Sequence, residues 1–591
     1  MFNSKTPQFD KSLEEILTNL KPHQKTCKQC QGVFNIFQED IEFYKKLRVP
    51  PPKLCPECRK QRRFGFYNNM LKFYRKEDTQ TGEKIISTFH PESTYKIYDL
   101  KHWWSDKWDP LSYGGDYDFS KPFFQQFQEL NLSVPHPPLI NLHYIVVNSP
   151  YTISTANAKN CFFVSLGGSI ENVHYSCWTL SSRDSLDLLN SSLCENCYYC
   201  INCLRCYKCS FCENSQGCLD SYFLYDCRNC SNCFGCTNLR NKQYYFFNQP
   251  FTKKEYQMKV KEINLGKRDV LEQYKERFGR LLRDAKRRNL ENDKKNINCF
   301  GNQLFQSKNC YLVFRSTGAE IIGLGKGRGN ENVRYSDDVG EVKDSLELYI
   351  AGPDVFLSYE IVEVFKSHNI KFSFFISNSM DLEYCLSCRN CKYCFGCISL
   401  RNKSYCILNK QYSKENYYQL LDKIKTKMLK DEKYGEFFPL SMSLHPYNDT
   451  YAMIEFPLTK EEVLKKGWQW YDEPKVPPDL MGLEIIDGKD VPKDIKDVSD
   501  DILNKAIVCE ITGKPFRIIK SELDFYRKHN LPIPTKHPYQ RMLERFQKRN
   551  PSKLWQATCA KCGELTYTSY PPEKQKELKI YCEECYLKEV V

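Results

Sequence analysis

The stretch CENCYYCINCLRCYKCSFC, residues 194–212, places a cysteine at every third position. Shorter runs with the same spacing occupy residues 227–236 and 385–397. Three residues turn an α-helix by about 300°, so seven such cysteines would spread around the whole cylinder. In a strand they would alternate between the two faces. A winding with short sides and frequent corners can return every third residue to its inside, so the spacing predicts a β-solenoid with inward-facing cysteines.

Asparagine is frequent beside these cysteines, as at Asn196, Asn202 and Asn229. It tolerates the left-handed backbone conformation better than most residues, because its short side chain bonds to the local backbone. The corners of a tight winding require such residues. The asparagines therefore support the solenoid prediction.

The cysteine-rich region occurs twice in the chain. The triplet Glu-Asn-Val at residues 171–173 recurs at residues 331–333, an offset of 160. Further along, the offset is 161, and the four cysteines of residues 227–236 fall on those of residues 388–397. Repeats that stack bury a core that neither could bury alone. We therefore expect two copies of one solenoid.

The two copies, at residues 150–250 and 299–411, indicate what the cysteines do. At the offset of 161, the cysteines of residues 194–212 fall on Val, Ser, Ile, Val, Ser, Ile and Ser within residues 355–373. Valine and isoleucine do not bind metal, whereas free cysteine packs like a small hydrophobic residue. The sequence predicts a ladder of reduced thiols. A zinc or copper cluster and an iron–sulfur cluster remain alternatives, as does a short amphipathic helix at residues 355–370.

Both ends of the chain carry paired Cys-x-x-Cys motifs. Two thiolates at this spacing suit a tetrahedral ion, and two such pairs close its coordination shell without an open position for water. The motifs predict one structural zinc at each end, two per chain, against the alternative of unrelated surface cysteines. The predicted ligands are Cys27, Cys30, Cys55 and Cys58 in the first site, and Cys559, Cys562, Cys582 and Cys585 in the second.

A shift of 482 positions aligns the first site with a later segment without a gap. The aligned positions are Cys27 with Cys509, Cys30 with Thr512, Cys55 with His537 and Cys58 with Gln540. The apolar framework is kept, since Phe34 and Tyr44 fall on Phe516 and Tyr526. The later segment is therefore predicted to be the same finger with its metal site lost and replaced by apolar packing.

The second site has a counterpart of its own near the N-terminus. The aligned positions are Asp78 with Cys559, Thr81 with Cys562, Asp99 with Cys582 and His102 with Cys585. Asp, Thr, Asp and His form a poor set of zinc ligands. We expect a degenerate ribbon there, with a weak mixed-ligand site as the alternative.

Several residues of the N-terminal segment form a pattern: Cys27-x-x-Cys30, Phe34, Phe43-Tyr44, Pro52 and Cys55-Pro56-Glu57-Cys58-Arg59, followed by Arg62 and Arg63. This pattern resembles the "probable zinc-ribbon" family of small bacterial domains. The whole chain, including WWSDKWDP at residues 103–110, resembles an uncharacterised family of long cysteine-rich bacterial proteins. The resemblance implies zinc binding at the four cysteines of the first site and supplies no activity.

The segment at residues 252–297 is rich in lysine and arginine and is predicted to be helical, with Thr252 as its N-cap. Arg280, Arg283 and Arg287 would then lie on one helical face and could meet one nucleic-acid backbone together. The alternative is a solvated face on a helix that only joins the two solenoid copies.

These observations predict a multidomain, mainly β chain in which zinc finger or ribbon modules flank a duplicated cysteine-rich β-solenoid with interspersed helices. The predicted segments are a zinc finger at 22–70, the degenerate ribbon at 76–110, solenoid copy 1 at 150–250, the basic helical segment at 252–297, solenoid copy 2 at 299–411, a helical segment at 412–470, a linker at 471–503, the degenerate finger at 505–550 and a zinc ribbon at 555–591.

Composition limits the functional classes. Lys and Arg number 86 against 73 Asp and Glu, which favours anionic partners. The sequence shows neither a membrane span nor an export signal, so we expect a cytoplasmic protein. In such a protein, 31 cysteines indicate metal sites or reduced thiols. Catalytic motifs are absent, and the glycines around Lys326 favour a flexible loop over a phosphate cradle, because no Ser or Thr follows the lysine.

The sequence therefore predicts a non-enzymatic zinc-binding scaffold that contacts nucleic acid, a ribonucleoprotein or protein partners, with no membrane partner and no small-molecule substrate. The main alternative is a metal-handling or thiol-redox protein that uses the period-three cysteines. An enzyme whose site appears only in three dimensions is a third hypothesis.

Overall fold

The protein is described here by a computed structural model, which covers residues 4–68, 72–141, 146–316, 329–475 and 480–591. These residues form a mainly β, multidomain chain with a β-solenoid, interspersed helices and a group of four cysteines near each end. The predicted fold class is confirmed. The glycine-rich stretch around Lys326 lies outside the described residues.

The solenoid turns a corner at every third residue. Each third residue from Ser154 to Phe247 has a positive φ, and so has each third residue from Asp354 to Leu408. Neighbouring turns pair in parallel twelve residues apart, as Val173 does with Ser185. Each turn therefore has four sides of three residues, which explains why cysteines with this spacing all face inward.

Asparagine occupies many of these corners. Asn196, Asn202 and Asn229 have φ of 53°, 52° and 51°, as the sequence predicted. Side-chain amides also link successive turns: Asn190 donates to Asn202 at 2.8 Å, and Asn202 donates to Asn214 at 2.9 Å. These bonds along the solenoid axis help to offset the cost of the left-handed conformation.

Most strands of the two copies are short, and neighbouring strands pair mostly in parallel. Copy 1 contains Val146–Val147, Thr152–Ile153, Ala156–Lys159, Phe162–Leu180, Arg183–Leu186, Leu189–Ser192, Tyr207–Ser210, Leu219–Tyr225, Ser231–Thr237, Gln243–Phe246 and Gln249–Pro250. Copy 2 contains Ile297–Asn302, Lys308–Phe314, Glu331–Val339, Val342–Ala351, Val355–Phe356, Tyr359–Phe365, Ser367–Ser377, Met380–Glu383, Lys392–Phe395, Ser404–Ile407 and Lys410–Gln411. The last strand of each copy turns back antiparallel.

At most corners the residue that follows points inward and is buried, whereas Lys242, near the end of copy 1, is exposed. Cysteines 194, 197, 200 and 203 of copy 1 are at most 2% exposed, as are Val355, Ser358, Ile361 and Val364 of copy 2. All 31 cysteines are free. The Cys203 thiol donates to the carbonyl oxygen of Cys212 at 3.3 Å. The cysteines thus form an inward-facing ladder of free thiols, as their exchange with valine and isoleucine predicted.

We expect Cys203→Val and Cys209→Ile each to lower the free energy of unfolding by no more than about 1.5 kcal/mol. Each change installs the residue that copy 2 already holds, at Val364 and Ile370, and sacrifices only a weak S–H hydrogen bond. Denaturant unfolding of the full chain measures this cost. Cys203→Asp is the control and should destabilise much more, because it buries a carboxylate. A collapse of folding in the valine variant would contradict the packing role.

From Asn332 onward, copy 2 contains one residue more than copy 1. Its corners lie three apart from Asn332 to Ile350, but the next corner, Asp354, is four residues on. Copy 1 has no such step between Ser154 and Phe247, so the added residue accounts for the change of offset from 160 to 161. Residues 355–370 form strands, and the alternative of an amphipathic helix is wrong.

The helices lie before, between and after the solenoid copies. Their bounds are Pro7–Thr18, Gln38–Leu47, Pro56–Phe64, Leu100–Trp104, Phe123–Ser133, Lys253–Lys261, Arg268–Asp284, Lys414–Lys430, Ala452–Glu455, Lys460–Lys465, Lys520–Lys528, Pro538–Gln547, Pro572–Gln575 and Glu583–Val590. Among the described helices, none combines the length and the apolar character needed to cross a membrane.

Residues 471–503 are more than a linker. Their strand Glu484–Asp487 pairs in parallel with Lys505–Val508, which itself pairs with Pro515–Phe516 in the degenerate finger. Proline and acidic residues in this segment suggested an unstructured connection. The strand forms because its backbone pairs with a strand outside the segment, and the composition of the segment does not reveal that pairing.

The chain divides into two compact units, and each combines segments distant in sequence. The first unit contains residues 4–139, 291–316 and 329–471, which include solenoid copy 2 and the helices that follow it. The second contains the solenoid copy at residues 140–250, the helices that follow it, and residues 472–591. The N-terminal modules therefore belong with copy 2, and the C-terminal modules with copy 1.

Candidate metal centres

The first group of four cysteines forms where a hairpin meets a helix. Strands His23–Thr26 and Val33–Ile36 are antiparallel, and the turn between them carries Cys27 and Cys30. Cys55 is the N-cap of helix Pro56–Phe64, so Cys58 follows in the first helical turn. These local elements bring both Cys-x-x-Cys motifs to one point.

Backbone amides stabilise the turn and point at the sulfurs. The Cys27 N–H donates to the Gly32 carbonyl at 2.9 Å, which closes the turn. The Cys55 N–H donates to the Cys27 sulfur at 3.3 Å, and the Cys58 N–H to the Cys55 sulfur at 3.5 Å. Such donors favour the thiolate form that metal binding requires.

The second group repeats this construction at the C-terminus. Strands Trp555–Thr558 and Leu565–Thr568 flank Cys559 and Cys562, and Cys582 precedes helix Glu583–Val590. The Cys582 N–H donates to the Cys559 sulfur at 3.3 Å, as in the first group. The two sites therefore share one hairpin-and-helix construction and differ at the helix cap, where the Cys55 sulfur accepts a backbone N–H and the Cys582 sulfur does not.

The sulfur geometry fits a tetrahedral metal ion. In each group the four sulfurs all lie within 4.8 Å of one another. The Cys30–Cys55 and Cys562–Cys582 sulfur pairs are each 3.8 Å apart. A tetrahedral zinc with bonds of about 2.3 Å would separate its sulfurs by roughly 3.8 Å. All eight predicted ligands are thus brought together in two groups of four that can each hold a metal ion.

The site surroundings lower the pKa of some thiols in each group and raise that of others, as desolvation raises the pKa of Cys585 to about 12. Hydrogen bonding by the Cys58 thiol lowers the pKa of Cys55 to about 5. Burial raises the pKa of Cys559, but the N–H groups of Cys562 and Cys582 outweigh it and bring the value to about 6. Each group therefore holds at least one sulfur that is a thiolate at neutral pH.

The degenerate ribbon keeps the backbone of the metal-type turn. The Asp78 N–H donates to the Glu83 carbonyl at 2.8 Å, as the Cys559 N–H donates to that of Glu564 at 2.9 Å. Its hairpin, Tyr74–Glu77 with Lys84–Ser87, has the same antiparallel pairing. The two ribbons therefore share the same turn and hairpin in the structure, in addition to their aligned sequences.

A carboxylate takes the place of the thiolate in this turn. The Asp78 side chain accepts the N–H of Asp99 at 2.5 Å, where the Cys559 sulfur accepts that of Cys582. It also accepts the N–H of Gln80 and of Thr81, at 2.8 and 2.7 Å. Among the described residues, groups of metal-ligand atoms occur only at the two cysteine groups. A mixed-ligand site at Asp78, Asp99 and His102 is therefore not supported.

The degenerate finger has lost its ligands in a different way. Cys509 keeps the turn, since its N–H donates to the Lys514 carbonyl at 3.0 Å. His537, in the place of Cys55, uses Nδ1 to accept the Tyr539 N–H at 3.1 Å and so caps helix Pro538–Gln547. The imidazole thus does the capping that the Cys55 sulfur does in the first finger.

Two buried histidines, His136 and His445, and the partly buried His90 pack beside the degenerate ribbon. The Phe89 ring lies 6.0 Å from that of His136 and 5.0 Å from that of His445, and His90 stacks on Tyr471 at 4.3 Å. His136 and His445 are 1% and 2% exposed. Burial lowers the pKa of His90 and His136 to about 4, and that of His445 to about 3.

We expect acid to loosen this region. The unfolded chain binds protons at these histidines near pH 6.5 and the native chain only near pH 3–4, so stability is lost as the pH falls from about 6.5 to about 4. For His136 and His445 the loss is on the order of 3 kcal/mol each. Hydrogen exchange of the amides in Lys84–Ser87 at pH 7 and pH 5, corrected for intrinsic rates, measures this loss of stability. This strand carries none of the cysteine ligands. If His445→Asn leaves that pH dependence unchanged, the histidines are not its source.

The three arginines predicted to contact nucleic acid, Arg280, Arg283 and Arg287, are not on one helical face. Helix Arg268–Asp284 carries Arg280 and Arg283, which are exposed, and then ends. Arg287 lies in strand Lys286–Arg288, which pairs with Lys579–Tyr581 of the C-terminal ribbon. The prediction that the basic helix continues to residue 297 is wrong, because this strand pairing ends it.

Arg287 has a structural role in the second unit. It is 8% exposed, its guanidinium lies 3.8 Å from the Tyr225 ring centroid, and it donates to the Leu282 carbonyl at 2.8 Å. Other cations of the segment lie over solenoid rings, as Arg277 does over Phe247 at 3.8 Å. Only part of the positive charge of the segment is free to meet an anion.

No protein-family model matches this chain, and no curated protein matches it. The resemblance to the zinc-ribbon family therefore stays a prediction.

Proposed function

We propose that this protein is a non-enzymatic scaffold stabilised by two zinc ions, one in each group of four cysteines. Four thiolate ligands and a closed shell are typical of structural zinc. The sulfur separation of 3.8 Å in both groups is the observation that carries the proposal. Metal analysis of the purified protein should return two zinc per chain, and Cys27→Ser and Cys582→Ser should each remove one.

The solenoid supports a scaffold role because its interior is filled. Most inward positions of both copies are at most a few per cent exposed, so the solenoid interior is a packed core on which modules can be placed. The thiol-redox alternative is less favoured, because the ladder thiols are buried and donate to backbone carbonyls. Free cysteines throughout suit a reducing compartment, and we propose the cytoplasm.

Nucleic acid is the partner we propose, with a ribonucleoprotein as its cellular form and a protein surface as the competing partner. Arg280 and Arg283 lie four and one residues before the C-terminal end of helix Arg268–Asp284 and are exposed. Arg280 pairs with Glu276 at 2.6 Å, but both side chains are more than half exposed, so the pair costs little to break. Both arginines are therefore available to phosphate.

We expect single-stranded RNA or duplex DNA to bind at about 50 mM salt with a steep salt dependence, since each neutralised phosphate releases a counterion. Arg280→Glu with Arg283→Glu should weaken binding and reduce the slope of log K against log salt by about two. Fluorescence anisotropy with labelled 20-mers measures both.

The matched control is Lys84→Glu with Lys107→Glu, which changes the net charge equally at two exposed lysines of the first unit. It should leave the salt slope unchanged. A parent protein that binds neither probe at about 50 mM salt, or arginine variants that bind like the parent, would favour a protein partner instead.

A further inference from the structure

The two units share one docking arrangement, although the chain joins their parts in a different order. In the first unit, finger helix Pro56–Phe64 lies against corners of copy 2. In the second, helix Pro538–Gln547 of the degenerate finger lies against corners of copy 1. The shift of 482 relates the two helices, and the offset of 160 or 161 relates the corners.

Buried ion pairs hold the first helix to copy 2. Arg59 pairs with Glu347 at 3.0 Å, and Arg63 pairs with the other oxygen of the same carboxylate. Arg63 also donates to the Tyr335 carbonyl at 3.2 Å. From the finger side, Asp40 accepts the Tyr335 hydroxyl at 3.1 Å. The charged side chains in this cluster are almost completely buried.

The equivalent residues make the equivalent contacts in the second unit. Arg541 and Arg545 pair with the two oxygens of Asp187 at 3.0 and 2.7 Å. Arg545 donates to the Tyr175 carbonyl at 2.8 Å, and Glu522 accepts the Tyr175 hydroxyl at 2.8 Å. One recognition pattern is therefore used twice in the molecule.

One facing pair of positions breaks the equivalence. In the first unit Arg62 pairs with Glu360 at 3.0 Å, and both are nearly buried. The corresponding helix residue in the second unit is Glu544, and the corresponding corner is Tyr199. Glu360 and Tyr199 are corners with nearly the same φ, 52° and 51°. Glu544 itself pairs with Lys536 at 2.8 Å.

We propose that this pair of positions makes the two docking interfaces mutually exclusive, so that each finger accepts only its own solenoid copy. The proposal rests on the contacts of helix and corner and is independent of the proposed function. Docking of the degenerate finger on copy 2 would place Glu544 against Glu360, two carboxylates in a buried position. Docking of the first finger on copy 1 would place Arg62 against the Tyr199 ring.

The two exchanges are not equally unfavourable. Facing carboxylates in a buried site repel. The arginine at the Arg63 position, 3.8 Å from Glu360, offsets only part of this repulsion because it is already paired with Glu347. An arginine over a tyrosine ring keeps a cation–π contact and loses only its carboxylate partner. The acid-against-acid combination is therefore the strong element of exclusion. If the two positions acted only as an ion pair, replacing either partner would instead destabilise the interface by the same amount.

Hydrogen exchange of the full chain tests this inequality. Arg62→Glu installs the acid-against-acid pair, and amides of Pro56–Phe64 should lose protection by about 100-fold or more. Glu360→Tyr installs the milder combination and should lose about tenfold or less. The double variant carries the Glu–Tyr pair of the second unit and should recover most of the protection that Arg62→Glu lost.

Helix Pro538–Gln547 is the internal control, because none of these changes touches it. Arg62→Glu leaves the nearby Glu436 unpaired in both the single and the double variant, so the difference between them isolates Glu360. The proposal is overturned if the double variant is as unprotected as Arg62→Glu, or if the two single variants lose protection equally. If Arg62→Glu does not fold, Glu360→Tyr and the double variant are compared instead. If the double variant does not fold either, the proposal is overturned.

Discussion

Cys27→Ser will unfold the first finger while the degenerate finger, its relative, tolerates the same change. Structural zinc contributes on the order of 10 kcal/mol to a small module, because the apo ligands do not stay together. Loss of one thiolate opens the closed shell at Cys27, Cys30, Cys55 and Cys58. Amides of hairpin His23–Thr26 with Val33–Ile36 should then exchange as in an unfolded chain.

The matched control is Cys509→Ser, at the equivalent position of the degenerate finger. It removes no metal ligand and should cost about 1 kcal/mol for its lost packing. A strong chelator should reproduce the effect of Cys27→Ser on the parent, and in Cys509→Ser it should leave the exchange of the degenerate finger unchanged. A finger that keeps its protection in Cys27→Ser would mean that packing, and not metal, holds it.

Glu347→Gln is the second change from which we expect a large loss. One carboxylate neutralises Arg59 and Arg63, and all three side chains are nearly buried. Removal of its charge takes away the ionic partner of Arg59 and leaves Arg63 the more distant Glu360, at 3.8 Å. Breaking a buried pair in this way typically costs about 3–5 kcal/mol. The first unit should be less stable, and the amides of helix Pro56–Phe64 should lose protection in a hydrogen-exchange experiment.

Glu331→Gln is its matched control, on the same solenoid copy. Glu331 pairs with Lys343 at 2.9 Å, but both side chains are about half exposed, so its loss should cost no more than about 1 kcal/mol. Similar losses in the two variants would contradict the importance of the buried cluster.

The solenoid was predictable because its period survives in the sequence. Each corner needs a left-handed residue, and each inward position needs a small or apolar one, so the pattern repeats every three residues whatever lies outside. The four cysteine-type turns were predictable for a similar reason, since ligand spacing is local. Even the lost sites at Asp78 and Cys509 keep enough residues to align.

The pairing of modules with solenoid copies was not predictable from the same alignments. An offset of 482 or 160 shows that two segments are alike, and it does not show what either segment touches. Arg59 and Glu347 are charged residues far apart in the chain, and no periodicity connects them. Their burial appears only when the helix is placed on the corners.

The end of the basic helix was also hidden. Residues 284–288 read Asp-Ala-Lys-Arg-Arg, with no proline or glycine to stop a helix. Strand Lys286–Arg288 forms because Lys579–Tyr581, almost 300 residues later, offers it a parallel partner. Tertiary pairing of this kind overrides local helix propensity.

The crossed pairing of modules and copies sets the order in which the chain matures during its synthesis. Arg59 leaves the ribosome long before Glu347, its partner on copy 2. At about 5–20 residues per second, roughly 15–60 s separate the two. Throughout that interval the first finger presents three unpaired arginines, Arg59, Arg62 and Arg63, to whatever is nearby. In the second unit the order is reversed, because Asp187 of copy 1 is made first and waits still longer for Arg541 and Arg545 of the degenerate finger.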